Sequence, residues 1–201
     1  VLVIHGGAGV IERAAMSPDI ERAYRAGLEK ALAAGQELLV AGASSLDAVV
    51  AAVAVLEDDP LFNAGCGAAF TAEGANELDA AVMDGANLRA GAVTLVTRVK
   101  NPVKLARLVM QQTRHVMLAG ESVEALARLH GLEMVEPAYY FTERRWNALQ
   151  RLKKAAATAQ PAQVSESEKH GTVGAVALDR SGNLAAATST GGYANKLAGR
   201  I

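Results

Sequence analysis

The sequence predicts an α/β protein, and three observations carry that prediction. Short runs rich in β-branched residues alternate with longer segments in which apolar residues recur at helical spacing. Apolar residues make up 51% of the chain but aromatic residues only 4%, so the core must be built from Ala, Val and Leu. Nineteen glycines indicate many turns and close backbone approaches. With 201 residues, the chain can form one domain with a substantial core or two small ones.

The chain opens with a predicted strand and two predicted helices. Residues 1–4 are an apolar run that leads into a glycine-rich loop at 5–9, which is typical of a buried strand entering a tight turn. Ser17, followed by a proline and an acidic residue, begins a helix whose apolar spacing continues to about residue 41. Ser44 or Ser45 then caps a helix with apolar residues on several faces, which indicates burial on most sides.

Two strands and three helices follow in the middle of the chain. A turn-rich segment at 84–87 separates the two strands. The predicted strands are residues 78–83 and 92–99, and the predicted helices are residues 101–112, 121–130 and 142–154.

A change of composition near residue 155 predicts a flexible linker. Residues 155–171 are mostly Ala, Gln, Ser, Glu and Lys without an apolar period. Beyond them, strands at 172–179 and 183–190 flank a short turn whose glycine can adopt positive φ, which predicts a hairpin. We expect residues 1–171 and 172–201 to form one domain together.

Charge and cysteine content limit the class of protein. Twenty basic and twenty-one acidic side chains give a formal charge of −1, which offers no electrostatic basis for binding nucleic acid or an anionic membrane. The single cysteine, Cys66, excludes an internal disulfide and fits a reducing compartment. Because no apolar run reaches the roughly 18 residues of a spanning helix, we expect a soluble cytoplasmic protein.

The junction between Gly171 and Thr172 has the clearest chemical interpretation. Cleavage there would leave Thr172 with a free α-amine beside its own hydroxyl, a base and a nucleophile in one residue. An α-amine has an ordinary pKa of about 7.7–8.0, close to the operating pH. Gly171 would let the backbone take the strained shape that an N-to-O acyl shift requires. The alternative is an ordinary loop-to-strand junction, where threonine is common because it is β-branched.

Three further side chains could surround such a nucleophile. Thr190 ends the partner strand of the hairpin and could lie beside Thr172, although cross-strand hydroxyl pairs also serve a sheet alone. Arg200 could hold a carboxylate through two hydrogen bonds, although exposed arginines are commonly solvated. Asn63 could donate to a carbonyl group, although asparagine before small residues is also ordinary turn chemistry.

Five short motifs occur in order along the chain, and none of them is specific alone. They are His-Gly-Gly-Ala-Gly at 5–9, Pro-Leu-Phe-Asn-Ala-Gly at 60–65, Glu-Leu-Asp-Ala at 77–80 with Met-Asp-Gly at 83–85, Gly-Thr-Val-Gly-Ala-Val at 171–176, and Ala-Thr-Ser-Thr-Gly-Gly at 187–192 followed by Asn-Lys-Leu at 195–197 and Gly-Arg at 199–200. Together they resemble the plant-type L-asparaginases/isoaspartyl peptidases, a branch of the N-terminal nucleophile hydrolases. The related glycosylasparaginases have aspartate before the threonine, whereas this chain has Gly171.

The resemblance implies a four-layer αββα sandwich and a role for each candidate residue. Thr172 would be the nucleophile and, after self-cleavage, the amino terminus of the β subunit. Thr190 would be hydrogen-bonded to the amine and hydroxyl of the nucleophile, and Asn63 would set the geometry beside it. Arg200 would hold the α-carboxylate of the aspartyl group.

The resemblance also implies a structural sodium ion and an assembly, but no cofactor for catalysis. After cleavage, two αβ pairs would form an (αβ)2 heterotetramer. Backbone carbonyl oxygens suit a hard cation, so the sulfur of the cysteine need not contribute. The implied sodium ligands are the carbonyl groups of Leu56, Glu57, Asp59, Phe62, Ala64 and Cys66.

We therefore expect an amidohydrolase that cleaves isoaspartyl dipeptides and L-asparagine. Because precursors of this family continue past the Gly-Arg element, we also expect the C-terminal part to be absent from this chain, with its oxyanion donors missing and the hairpin edges unpaired. The main alternative is a truncated or uncleaved inactive homologue that acts only as a structural or partner subunit. A weaker one is a nucleotide-binding domain using residues 5–9, which the lack of a Walker lysine disfavours.

Overall fold

The computed structural model describes residues 1–7, 16–158 and 171–201, and these residues contain a six-stranded sheet. The strands are β1 (Leu2–His5), β2 (Leu78–Asp84), β3 (Arg89–Val96), β4 (Met117–Ala119), β5 (Val173–Leu178) and β6 (Leu184–Thr190). Their order in the sheet is β1-β5-β6-β2-β3-β4, and neighbours are antiparallel except for the parallel pair β3 and β4. The sequence predicted each strand except β4, whose three residues are too short to show a period.

The hairpin of β5 and β6 lies inside the sheet. β1 pairs with β5 on one side, and β2 pairs with β6 on the other. The expectation that the hairpin edges would be unpaired is therefore wrong, because strands from the first half of the chain cover both edges. The turn between the two strands contains Gly182 at φ 81°, the conformation for which the sequence supplied a glycine.

Five helices occur among the described residues. They are α1 (Pro18–Val40), α2 (Ser45–Glu57), α3 (Pro102–Gln112), α4 (Gly120–Leu129) and α5 (Glu143–Thr158). α5 continues four residues beyond the predicted end, so residues 155–158 are helical rather than linker. The rest of the predicted linker, 159–170, lies outside the described residues. No helix in the described part of the chain is long and apolar enough to cross a bilayer.

The first two helices begin where the sequence placed them. The Ser17 hydroxyl accepts a hydrogen bond from the Ile20 amide and caps α1. Ser44, not Ser45, caps α2, and it forms a reciprocal capping box with Asp47. Both signals lie within one turn of the helix start, so local sequence was enough to identify them.

The helices cover one face of the sheet and leave the other open. Alternate residues of the strands join α2 and α3 in one apolar core, which includes Val82, Val93 and Ala187. On the opposite face, Val3, Val176, Ala186 and Met83 form one cross-strand row. Val3 is 64% exposed and Val176 is 50% exposed. The described residues thus provide one helical layer and one sheet of the four-layer sandwich, with an apolar sheet face that a further layer could cover.

We expect an Asp47→Asn substitution to lower the free energy of unfolding at pH 7 by about 1 kcal/mol, because it weakens the cap of α2. Asp47 accepts hydrogen bonds from the amide and hydroxyl of Ser44, and its carboxylate lies 2.7 Å from Arg107. Partial burial raises the pKa of Asp47, but these hydrogen bonds and the Arg107 charge outweigh it and hold the pKa below the ordinary 3.8.

The sign of the pH dependence follows from that lowered pKa. The carboxylate stabilises the folded state above pH 3.8 and loses this contribution as the pH falls through the lower folded-state pKa. Urea unfolding should therefore show a difference between wild type and Asp47→Asn at pH 7 that shrinks at pH 3. Asp19→Asn, in the first turn of α1 with an exposed carboxylate, is the matched control and should have little effect. A difference that grew on acidification would contradict the prediction.

Candidate active site

Thr172 and Thr190 lie side by side at the end of the hairpin. Val173 pairs with Ser189 in the antiparallel register, which brings the next residues outward, Thr172 and Thr190, opposite each other. The Thr172 hydroxyl donates a hydrogen bond of 3.2 Å to the Thr190 hydroxyl. The hairpin register therefore produces the neighbouring hydroxyl pair that the sequence suggested.

The Thr190 hydroxyl connects the nucleophile candidate to the carbonyl group that precedes it. It accepts hydrogen bonds from the Thr172 hydroxyl and, at 3.0 Å, from the Gly192 amide. Its own proton is donated to the Gly171 carbonyl oxygen at 2.9 Å. All of its hydrogen-bonding capacity is used, so its orientation is well defined.

Asn63 is the second donor to the Gly171 carbonyl oxygen. Its side-chain amide nitrogen donates to the carbonyl oxygens of Gly171 at 2.9 Å and Gly192 at 2.6 Å. Its side-chain oxygen accepts from the Ala69 amide at 2.7 Å. Asn63 is only 2% exposed, so these three bonds hold it in a water-poor environment. It thereby links the 60–70 loop to both the Gly171–Thr172 junction and the turn after β6.

Glycines make this arrangement possible after Thr190. A Cβ at Gly191 would lie 2.8 Å from the Asn63 side-chain oxygen, and Gly192 has φ 73°. Among the described residues, a Cβ at Gly171 would meet the Asn63 Cβ at 3.4 Å, an ordinary contact distance. The strained backbone that Gly171 would allow during the acyl shift stays a prediction.

Arg200 is exposed, and its guanidinium group stacks on an aromatic ring. Its central carbon lies 4.6 Å from the ring centroid of Tyr193. This stacking is a cation–π contact, which pre-orients the planar group and leaves its edge free to donate hydrogen bonds. The structure thus places Arg200 ten residues after Thr190 but does not bring it into contact with the two threonines through any described hydrogen bond.

In the loop with the implied sodium ligands, two glycines pack closely against backbone carbonyl oxygens. A Cβ at Gly65 would lie 2.2 Å from the Glu57 carbonyl oxygen, and one at Gly67 would lie 2.0 Å from that of Phe62. The Cys66 thiol donates instead to the Tyr139 carbonyl at 3.5 Å. Within the described ranges, no group of three or more His, Cys, Asp and Glu side chains could hold a metal ion. Backbone oxygens are therefore the donor set in this loop that fits a hard cation.

The glycine-rich loop at 5–9 begins beside the same junction. A Cβ at Gly7 would lie 3.7 Å from the Gly171 Cα and 3.8 Å from the Thr172 nitrogen. Residues 8 and 9 lie outside the described residues. The described start of this motif therefore lies next to the two-threonine site, which favours a role there over a separate phosphate site.

Comparison with known proteins agrees with this arrangement of motifs. The family model described as asparaginase matches residues 1–201, the whole chain. The chain belongs to the asparaginase family. Isoaspartyl peptidase of Escherichia coli K12 is 52% identical over 204 residues, which cover 100% of this chain and 64% of that protein. The human isoaspartyl peptidase/L-asparaginase is 43% identical over 203 residues, which cover 100% of this chain and 63% of that protein. This asparaginase-family chain thus spans slightly less than two thirds of the length of these relatives.

Sequence reasoning assigned no side-chain role to a buried carboxyl group behind Thr190. Glu57 is fully buried at the end of α2, and one of its side-chain oxygens accepts from the Val103 amide at 2.9 Å. Burial raises the pKa of Glu57 to about 8, and the neighbouring Ser189 and Val103 only partly offset this. The other Glu57 oxygen and the Ser189 hydroxyl lack a hydrogen bond of ordinary geometry. A glutamate that follows a long run of alanine, valine and leucine in this helix was the signal that could have drawn attention to it.

Two charged side chains of β2 and the final loop were also missed. Asp79 pairs in register with Thr190, and its carboxylate accepts hydrogen bonds from the Thr94 hydroxyl and the Leu95 amide. Lys196 is completely buried beside the turn after β6. Both lie within motifs that the sequence singled out, but a motif by itself does not show which of its side chains point inward.

Proposed function

We propose that this protein is a self-cleaving amidohydrolase that acts on β-aspartyl bonds, with Thr172 as its nucleophile. The observation that carries the proposal is the pair of donors on the Gly171 carbonyl oxygen, Asn63 and Thr190, beside the Thr172 hydroxyl. Donors in this position stabilise the negative charge that develops when a nucleophile attacks the carbonyl carbon. Each such donor contributes on the order of 10²- to 10³-fold to the rate.

Self-cleavage begins with attack of the Thr172 hydroxyl on the Gly171 carbonyl carbon. As the O–C bond forms, the hydroxyl proton passes to the Thr190 oxygen, and the Thr190 proton passes to the Gly171 oxygen. Collapse of the tetrahedral intermediate re-forms the C=O bond and breaks the C–N bond, and the proton from the Gly171 oxygen is transferred to the Thr172 nitrogen. Water then hydrolyses the resulting ester. The products are a carboxylate at Gly171 and a Thr172 with both a free amine and a free hydroxyl.

Hydrolysis of substrate uses the same nucleophile with its new base. The free α-amine of Thr172, with an ordinary pKa of about 7.7–8.0, removes the hydroxyl proton as the oxygen attacks the side-chain carbonyl of the substrate. Release of ammonia from L-asparagine, or of an amino acid from an isoaspartyl dipeptide, leaves an aspartyl ester that water hydrolyses. Arg200, pre-oriented on Tyr193, holds the α-carboxylate of the aspartyl group. These steps need no catalytic cofactor.

A structural sodium ion fits the loop that carries Asn63. Backbone carbonyl groups at 56–66 would hold it, and Gly65 and Gly67 let the loop backbone pack closely against two of these carbonyl groups. The ion would accept coordination from these oxygens and keep the loop in shape. We assign it no part in proton transfer.

The two cleavage products would stay together in one sheet. β5 and β6 belong to the product that begins at Thr172, yet they lie between β1 and β2 of the other product. Separation would break the hydrogen bonds along two strand pairs, so cleavage produces an αβ pair rather than two free chains. Association of two such pairs into an (αβ)2 heterotetramer, and a location in the cytoplasm, remain parts of this proposal that the family resemblance and the single cysteine support.

The proposal predicts that the purified full-length protein divides into two chains, the second beginning at Thr172. Intact mass after storage and sequencing of the new amino terminus would establish the cleavage point. The cleaved protein should release aspartate from an isoaspartyl dipeptide, and aspartate with ammonia from L-asparagine. A protein that stays uncut and releases no aspartate from either substrate would contradict the proposal and favour an inactive structural homologue.

A further inference from the structure

A buried lysine supports the segment that joins Thr190 to Arg200. Lys196 is 0% exposed, and its ammonium group donates a hydrogen bond of 2.9 Å to the Glu77 carbonyl oxygen. Its side chain lies against Gly192, where a Cβ would be 3.1 Å from the ammonium nitrogen. None of the proposed chemical steps uses this ammonium group, so its burial needs another explanation.

Burial of a cation at this point has an electrostatic cost that nearby carboxylates offset in part. Burial lowers the pKa of Lys196, whereas the negative charges of Asp79 and Glu77 raise it. The positive charge of Arg200 acts in the same direction as burial. Burial and Arg200 together outweigh the two carboxylates, so the pKa of Lys196 lies below its ordinary 10.5.

Glu77 holds the same segment at two points. Its backbone carbonyl accepts from Lys196, and its carboxylate accepts from the Gly199 amide at 2.9 Å. Gly199 directly precedes Arg200. Two backbone bonds complete the attachment of the segment: the Asn195 amide donates to Phe70 at 2.9 Å and Lys196 accepts from Ala72 at 2.7 Å.

This attachment connects Arg200 to the strand pair that carries Thr190. Glu77 immediately precedes β2, and Asp79 of β2 pairs in register with Thr190 of β6. The 195–200 segment is therefore attached to the residue directly before β2, with Arg200 at the end of the segment.

We infer that Lys196 and Glu77 are positioning residues that set the place of Arg200 relative to Thr190 and thereby determine affinity for substrates that carry an α-carboxylate beside the scissile carbonyl. The inference rests on the proposed function, in which Arg200 binds that carboxylate. It assigns the two residues no contact with substrate and no part in self-cleavage, because the donors to the Gly171 carbonyl are Asn63 and Thr190.

The test is Lys196→Met in the purified full-length protein, with steady-state kinetics on L-asparagine and an isoaspartyl dipeptide. Methionine keeps most of the side-chain volume and removes the charge and the hydrogen bond to Glu77. KM should rise about tenfold on both substrates while kcat changes less than about threefold. The reason is that a displaced Arg200 binds the α-carboxylate more weakly in the ground state and in the transition state alike. Self-cleavage before Thr172 should keep its wild-type rate within about threefold. Lys30→Met, the same change on the exposed surface of α1, should alter none of these values.

A second variant covers the case in which Lys196→Met does not fold. Glu77→Gln weakens the bond to the Gly199 amide and removes one of the two carboxylate charges that act on Lys196, and it should raise KM about threefold with unchanged self-cleavage. An unchanged KM in the folded variants would overturn the inference. So would an equal loss of kcat and self-cleavage, which would mean that the lysine only supports the fold. Failure of the wild type to release aspartate would instead overturn the proposed function.

Discussion

Replacement of Thr172 by alanine is expected to leave the full-length protein as a single uncut chain with no measurable release of aspartate. The substitution removes the hydroxyl that attacks the Gly171 carbonyl and, after cleavage, the substrate. Loss of a nucleophile that works with its base as one unit lowers turnover by on the order of 10⁴-fold or more. A denaturing gel after prolonged storage would report the cleavage, and an aspartate assay would report the turnover.

Thr188→Ala is the matched control for this prediction. Thr188 lies in the same strand as Thr190, and its hydroxyl donates to the Val173 carbonyl at 3.0 Å rather than to the junction. That variant should still be cleaved before Thr172. Thr172→Ser, which keeps a hydroxyl, should be cleaved more slowly but at the same bond. Two bands from Thr172→Ala would exclude the threonine as the agent of its own cleavage.

Replacement of Asn63 by alanine is expected to slow self-cleavage by on the order of 10²- to 10³-fold, because it removes one of the two donors to the Gly171 carbonyl oxygen. The same change leaves the Gly192 carbonyl and the Ala69 amide without their buried partners. We therefore also expect the free energy of unfolding to fall by about 2 to 3 kcal/mol. The rate of appearance of the chain that begins at Thr172 measures the first effect, and urea unfolding measures the second.

Asn76→Ala separates the chemical effect from the structural one. Asn76 is also buried, and its amide donates to the carbonyl oxygens of Ala68 and Ala69, so its loss should destabilise the same region. It makes no described contact with Gly171, so folded Asn76→Ala should be cleaved at close to the wild-type rate. If both variants lost cleavage in proportion to their lost stability, Asn63 would have no special role in the reaction.

The face of the sheet that the described helices leave open is apolar. Its cross-strand row of Val3, Val176, Ala186 and Met83 would remain in water if no other layer covered it. The family resemblance places the second sheet of a four-layer sandwich on such a face, and the chain spans 64% of the Escherichia coli relative. If a further layer buried this row, the sheet would be covered on both faces, and the hairpin that carries Thr190 would be more stable.

Elements defined by neighbouring residues could be predicted from the sequence. The caps at Ser17 and Ser44 and the glycine of the hairpin turn act within a few residues, so their signals survive without tertiary information. The opposition of Thr172 and Thr190 belongs to the same class, because a short turn sets the register of the two strands. The three-residue strand β4 could not be predicted, because its place depends on pairing with β3.

The sequence by itself determined the α/β class, the family and the identity of the nucleophile candidate, because these depend on local periodicity and on five short motifs whose order can be read along the chain. Only the tertiary structure decided that Asn63 reaches the Gly171 carbonyl across more than a hundred residues, that β1 and β2 enclose the hairpin, and that Lys196 is buried beneath the Arg200 segment. These features depend on which side chains meet after the chain has collapsed around its core. Hydrogen-bond partners and burial are properties of that packing, whereas a motif specifies only which chemical groups are available to be packed.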